Sequence, residues 1–157
     1  MSANKYLRLR RKIMIQVKIK KLHPDAVIPK YATKGAACFD LTAIKDSYFA
    51  KHEHSCMVET GLSFEVPEGH VMLIYARSGI SSTKGLRPSN CVGVIDSDYR
   101  GQVIVPIVCD AHVSPEIQKG TRIAQAMIVK LPEVELVEAE ELSQTERGAG
   151  GFGSTGL

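Results

Sequence analysis

The sequence predicts an all-β domain: a jelly-roll-like β-sandwich or barrel with at most one short helix and a flexible Gly-rich C-terminal arm. Three observations predict it. Short apolar or alternating stretches recur along the chain, turn residues separate them, and helical periodicity is almost absent. Short strands at such spacing belong to sandwiches and jelly rolls. At 157 residues the chain has the length of one domain. Its 24% charged and 44% hydrophobic residues exclude wholesale disorder. No stretch reaches the roughly 18 apolar residues of a membrane span, so no membrane partner is expected.

The elements follow in order. Residues 1–13 carry Lys5, Arg8, Arg10, Arg11 and Lys12 and no carboxylate. They are expected to be a disordered leader, native or not, outside a domain that runs from 14 to 146. A short organellar presequence would share that composition. Met14–Lys21 alternates as a strand does, Met57–Val66 is β-rich, and Gly69–Ala76 is apolar. Ser78–Lys84 is the one plausible helix. Asn90–Gly101 reads as a hairpin, with apolar runs flanking the polar tip Asp96–Arg100. Gln102–Cys109 is nearly continuous apolar sequence, and Arg122–Leu131 and Glu133–Val137 supply two more strands. His23-Pro24-Asp25, Pro67-Glu68-Gly69, Arg87-Pro88-Ser89-Asn90, Lys119-Gly120 and Leu131-Pro132 are turn chemistry.

Charge narrows the partners. Five of the 20 Lys and Arg residues lie in the leader, leaving 15 against 17 carboxylates in the body. A slightly acidic body is a poor nucleic-acid surface, so no such partner is expected. Cys38, Cys56, Cys91 and Cys109 show neither zinc nor disulfide spacing; reduced thiols in a cytoplasmic setting fit, with Cys56 and Cys109 in the core. His52 and His54 would share a strand face but lack a third ligand, so they read as surface histidines. The run Glu133, Glu135, Glu138, Glu140 and Glu141 reads as a solvated edge strand and linker.

Three segments could carry chemistry. The tail RGAGGFGSTGL (147–157) holds five of the chain's 13 glycines and cannot pack a core. Arg147, Ser154 and Thr155 nonetheless offer donors suited to a polyphosphate, on a backbone that can approach closely. Arg77, Ser78 and Gly79 stand where an apolar strand runs into the short helix, a weak phosphate signal when taken alone. Asp96 follows Val94-Ile95 at the sheet rim, where a carboxylate can orient a water. Tyr99 beside it offers an apolar face with a polar end.

Five segments then read together. GAACFDLTA (35–43), ARSGISS (76–82), NCVGVIDSDYRG (90–101), KGTRIAQ (119–125) and RGAGGFGSTG (147–156) resemble, in order and spacing, the motifs of trimeric deoxyuridine triphosphatases. The resemblance implies a homotrimer with active sites shared between subunits. The implied reaction is Mg²⁺-dependent hydrolysis of dUTP to dUMP and pyrophosphate, which keeps uracil out of DNA and supplies dUMP. By motif position, Asp96 would activate the water attacking the α-phosphorus, and Asp40 would hold the metal through water. Asn90 and the backbone around Gly93 would read uracil, and Tyr99 would pack on deoxyribose. Arg77, Ser78, Gly79 and Gln125 would contact phosphates. Arg147, Gly153, Ser154 and Thr155 would close over the γ-phosphate, with Phe152 on the base.

These roles suit the chemistry. A triphosphate with Mg²⁺ keeps about two negative charges, so its site needs donors more than nucleophiles. A positioned base contributes on the order of 10²–10⁴ in rate. Thymine differs from uracil by a methyl worth only about 1–3 kcal/mol of apolar contact, so its rejection needs close backbone packing. Two residues depart from the family pattern: Cys38 stands where Gly is usual, and Thr121 where Asp is usual. The related dCTP deaminases use a Glu in the strand after the hairpin, and Gln102–Cys109 contains no carboxylate. A non-catalytic nucleotide-binding jelly roll would not need Asp96, Tyr99 and Arg147 together. A regulatory protein partner is not readable from sequence.

Overall fold

The computed structural model describes residues 14–49, 55–111, 115–151 and 153–154. Nine strands and one helix form among them: β1 Lys18–Lys21, β2 Phe39–Thr42, β3 Ser55–Glu59, β4 Leu62–Glu65, β5 His70–Tyr75, α1 Ser78–Lys84, β6 Leu86–Pro88, β7 Val92–Ile95, β8 Ile104–Cys109 and β9 Arg122–Lys130. They pair antiparallel in three sheets, β1-β4, β2-β9-β5-β7 and β3-β8-β6. This is the jelly-roll-like β fold that the turn-separated strands predict.

Alternation along each strand builds the core, because successive side chains face opposite ways. Leu41, Val58, Phe64, Met72, Ile74, Val105, Ile107 and Ile123 point inward and are almost fully buried. Phe39 stacks on Phe64 with ring centroids 6.2 Å apart, and Tyr31 meets Phe39 edge-on at 5.7 Å. α1 spans the predicted residues and ends where Gly85 turns left-handed and donates to Ile80 and Ser81 carbonyls.

Four expectations need correction. The β-rich run Met57–Val66 is two strands, broken where Gly61 adopts a φ of +64°. A Cβ there would lie 3.0 Å from those of Ala26 and His23. Asn90–Gly101 is not a hairpin: β7 pairs with β5 whereas β8 pairs with β3 and β6, so the chain crosses between sheets after Ile95. The early strand is shorter than Met14–Lys21 because only Lys18–Lys21 finds a partner, in β4. Glu133–Val137 forms no strand within this chain. Leu131 N–H on the Gly69 carbonyl at 2.8 Å is the last hydrogen bond to the body among the described residues. Beyond it Val134, Leu136 and Val137 stand 71%, 93% and 75% exposed.

Cys56 is buried as expected, while Cys109 is only partly so, its thiol near the Lys84 and Ala111 carbonyls. The leader 1–13, His52, His54, Phe152 and Thr155 lie outside the described residues.

Candidate active site

One row of paired residues crosses the four-stranded sheet. Asp40 of β2 faces Gln125 of β9, which faces Tyr75 of β5, which faces Val92 of β7. At this end of the sheet β5 runs into α1, and a charged corner forms. Arg77 Nε donates to Asp40 Oδ1 at 2.6 Å, and Arg122 Nη1 donates to Asp40 Oδ2 at 3.0 Å. Arg77 Nη1 also donates to the Arg122 carbonyl at 3.2 Å. The Asp40 and Arg77 side chains are 24% and 22% exposed, enough screening from water for such bonds to fix orientation. Gln125 Nε2 donates to the Ala76 carbonyl at 2.9 Å and ties β9 to the strand end.

Ser78 and Gly79 open α1, whose first N–H groups have no partner within the helix. A Cβ on Gly79 would meet open space, so this face is free to receive a ligand. The sequence reading missed Arg122. Its link to Asp40 depends on β2 pairing with β9 across 82 residues of chain, and no local pattern shows that pairing. Burial and the Asp40 charge push the Cys38 thiol upward, so the side chain at this unusual position stays neutral. Thr121 makes turn contacts through its backbone, accepting from Ala43 N–H and donating to the Gln118 carbonyl.

A second group lies along β7. Asn90 precedes the strand, and its carbonyl accepts from Val92 N–H at 2.6 Å. Gly93 faces inward against β5: a Cβ there would sit 3.2 Å from Ile74 Cβ and 3.7 Å from Asn90 Nδ2. Glycine thus permits a close approach that any side chain would spoil. Asp96 follows the strand at the rim of a cavity of about 350 Å³ bounded by Val94, Ile104, Met57 and Tyr99. Among the described residues no hydrogen bond or ion pair engages its carboxylate. Tyr99 Oη donates to the Gln102 carbonyl at 3.0 Å, which fixes the ring beside that cavity. Another cavity, about 370 Å³ between Val17, Tyr31, Phe39 and Phe64, is apolar and offers neither carboxylate nor cation.

The tail forms the third group. Arg147 Nε donates to the Gly150 carbonyl at 2.9 Å, and Ser154 N–H to the Gly151 carbonyl at 2.7 Å. Among the described residues of this segment, the hydrogen bonds close on the segment itself, and none joins Arg147, Gly153 or Ser154 to either other group.

Register sets the distance between corner and rim. Ile95 pairs with Met72, and Arg77 lies five residues further along from Met72. At about 3.3 Å per residue, Asp96 and Arg77 are separated by on the order of 15–20 Å. Asn90, by contrast, lies at the Arg77 end of β7.

Known proteins resemble this chain in sequence and in fold. A family model described as dUTPase matches residues 24–156. The deoxyuridine 5'-triphosphate nucleotidohydrolase of Nautilia profundicola is 47% identical over 142 residues, covering 90% of this chain and 99% of that protein. That of Hydrogenobaculum sp. is 45% identical over 139 residues, covering 88% and 96%. Among solved structures, a mutant of Staphylococcus bacteriophage 80alpha dUTPase with dUpNHpp matches with a TM-score of 0.79 at 28% identity. The match covers 90% of this chain and 99% of that one.

Proposed function

The chain belongs to the dUTPase family and hydrolyses dUTP to dUMP; from that premise we propose how its residues divide the work, and that copies must combine to complete a site. Asn90 and the backbone around Gly93 read the uracil edge, and the Tyr99 ring carries the deoxyribose. The unengaged Asp96 carboxylate takes a proton from the water that attacks the α-phosphorus. Pyrophosphate then leaves along the line opposite that water.

The phosphates are met by Arg77, Ser78, Gly79 and Gln125 of another copy, because the chain's own corner lies too far from Asp96. That separation is the observation on which the shared-site reading rests. The exposed Val134, Leu136, Val137 and Leu142 support it, since apolar side chains strung along a segment free of the body need cover from another chain. A homotrimer, with Arg147, Phe152, Gly153, Ser154 and Thr155 closing over the γ-phosphate and base, satisfies all of these demands.

Mg²⁺ fits this arrangement if it arrives on the substrate. Among the described residues no three His, Cys, Asp or Glu side chains group as a metal cage. Mg²⁺ keeps several waters and takes phosphate oxygens readily, so it asks the protein for a single acceptor. Asp40 commits one hydrogen bond per oxygen to its two arginines and retains lone pairs for a metal-bound water. When bound, the ion spreads the charge of the departing pyrophosphate.

Mixed assemblies test the division. Chains carrying Arg77→Gln and chains carrying Asp96→Asn, each poor alone, should regain dUTP hydrolysis when co-assembled. Verified mixed trimers with no regain would place the whole site within one chain.

A further inference from the structure

We propose that Arg87 is a positioning residue that holds the base-reading turn and thereby sets selectivity for uracil. This rests on the reading of Asn90 given above. Arg87 lies on β6 opposite Val108 of β8. Its Nε and Nη2 donate to the two oxygens of Asp110 at 2.7 and 3.0 Å, a fork that fixes the guanidinium plane. Asp110 is itself anchored through its N–H on the Gly85 carbonyl at 2.9 Å. The remaining nitrogen, Nη1, reaches the turn from two sides: the Pro88 carbonyl at 3.4 Å and Cys91 Sγ at 3.7 Å.

The turn needs such support. Cys91 has a φ of +62°, the one non-glycine residue in the left-handed region among those described. That backbone is unfavourable for a residue with a side chain, and it persists only where surroundings enforce it. Two backbone bonds contribute, Ser89 N–H on the Pro106 carbonyl and Cys91 N–H on the Pro88 carbonyl. Arg87 adds the side-chain brace. Asn90 sits within the braced turn, so the height of its amide above Gly93 depends on the guanidinium. The base does not react, so contacts to it act equally in the ground and transition states. Loosening the turn therefore raises KM and erodes base discrimination while leaving turnover intact.

The test is steady-state kinetics of the assembled enzyme on dUTP and dCTP for Arg87→Ala, Arg87→Lys and Asp110→Asn, with Asn90→Ala alongside and thermal unfolding of each. Arg87→Ala should raise KM for dUTP about tenfold, keep kcat within about twofold, and narrow the dUTP-to-dCTP ratio of kcat/KM by about tenfold. Arg87→Lys, which lacks the fork, should follow in the same direction. Asp110→Asn should reproduce the effect, and the double variant should be no worse than either single one. A folded Arg87→Ala with unchanged KM and selectivity, or with loss in kcat alone, overturns the proposal. Should that variant not fold, Arg87→Lys and Asp110→Asn decide on the same terms. If Asn90→Ala raises KM and the Arg87 variants do not, the brace fails alone. If Asn90→Ala changes nothing, the reading of the turn fails and the proposal with it.

Discussion

The two ends of the four-stranded sheet treat their carboxylates differently. At the corner, Asp40 is claimed twice, by Arg77 and Arg122, and Gln125 is tied to the end of β5. At the rim, the Asp96 carboxylate has no partner among the described residues, and Tyr99 has one hydroxyl bond to orient its ring. A paired acid serves first as scaffold: its charge holds two cations in place. An unpaired acid beside a cavity keeps its lone pairs for substrate or water. On the proposed division of labour, one sheet carries preorganised donors at one end and a reagent at the other. On the reading proposed above, the distance between them is what calls for a second chain.

Breaking the rim should remove chemistry and leave the fold intact. Asp96→Asn keeps the shape and loses the basicity, so pyrophosphate release should fall by about 10²–10⁴ while dUTP still binds. Turnover above about a tenth of wild type would mean that the unpaired acid is not the base. Removing the tail after Glu146 should cost about 100-fold in turnover without changing the melting temperature, because none of its described residues is buried. Light scattering should still find the same assembly. Breaking the corner should instead damage both properties. Asp40→Asn leaves a mostly buried Arg77 poorly matched, so unfolding should come about 1–3 kcal/mol sooner and kcat/KM should fall about tenfold. A variant that loses activity at full stability would make Asp40 a reagent like Asp96.

The two ends also differed in how far the sequence disclosed them. Asp96 and Tyr99 stand within one short segment between apolar runs, and a local pattern suffices to flag a carboxylate at a sheet rim. α1 was equally legible, from Ser78 to Lys84, because helix signals are local too. The corner needed topology. Arg122 reaches Asp40 because β2 lies beside β9, and strand order in a jelly roll is set by packing of the whole core. For the same reason the Asn90–Gly101 segment looked like a hairpin: adjacent apolar runs usually pair, whereas here the sandwich draws β7 and β8 into different sheets. Glu133–Val137 shows the converse limit. Its alternation is that of a strand, but no edge among the described residues receives it, and periodicity cannot say to which molecule a partner belongs.

The smallest effect concerns a charged thread that supports the rim from behind. Lys45 Nζ lies 2.5 Å from Glu59 Oε1, Gln102 Nε2 donates to Glu59 Oε2 at 3.3 Å, and the Gln102 carbonyl receives Tyr99 Oη. The hydrogen bond from Lys45, and after it that from Gln102, hold the Glu59 carboxyl below its ordinary value of 4.5. A carboxyl lowered in the folded state adds stability above its unfolded pKa, and that contribution is lost as pH falls through the folded one. Lys45→Ala should therefore cost less than about 1 kcal/mol at pH 7, since the pair is substantially exposed and screened. The difference from wild type should shrink once the pH drops below 4.5 and vanish after Glu59 is protonated. Thermal unfolding of both proteins across that range, with turnover measured at neutral pH, is the check. Turnover should hold, because the thread reaches Tyr99 through a backbone carbonyl and stops short of Asp96. A stability gap that persists in acid would assign the effect to packing of the Lys45 stem and not to the Glu59 charge. A fall in turnover would show that the rim, like the corner, depends on paired charge for its geometry.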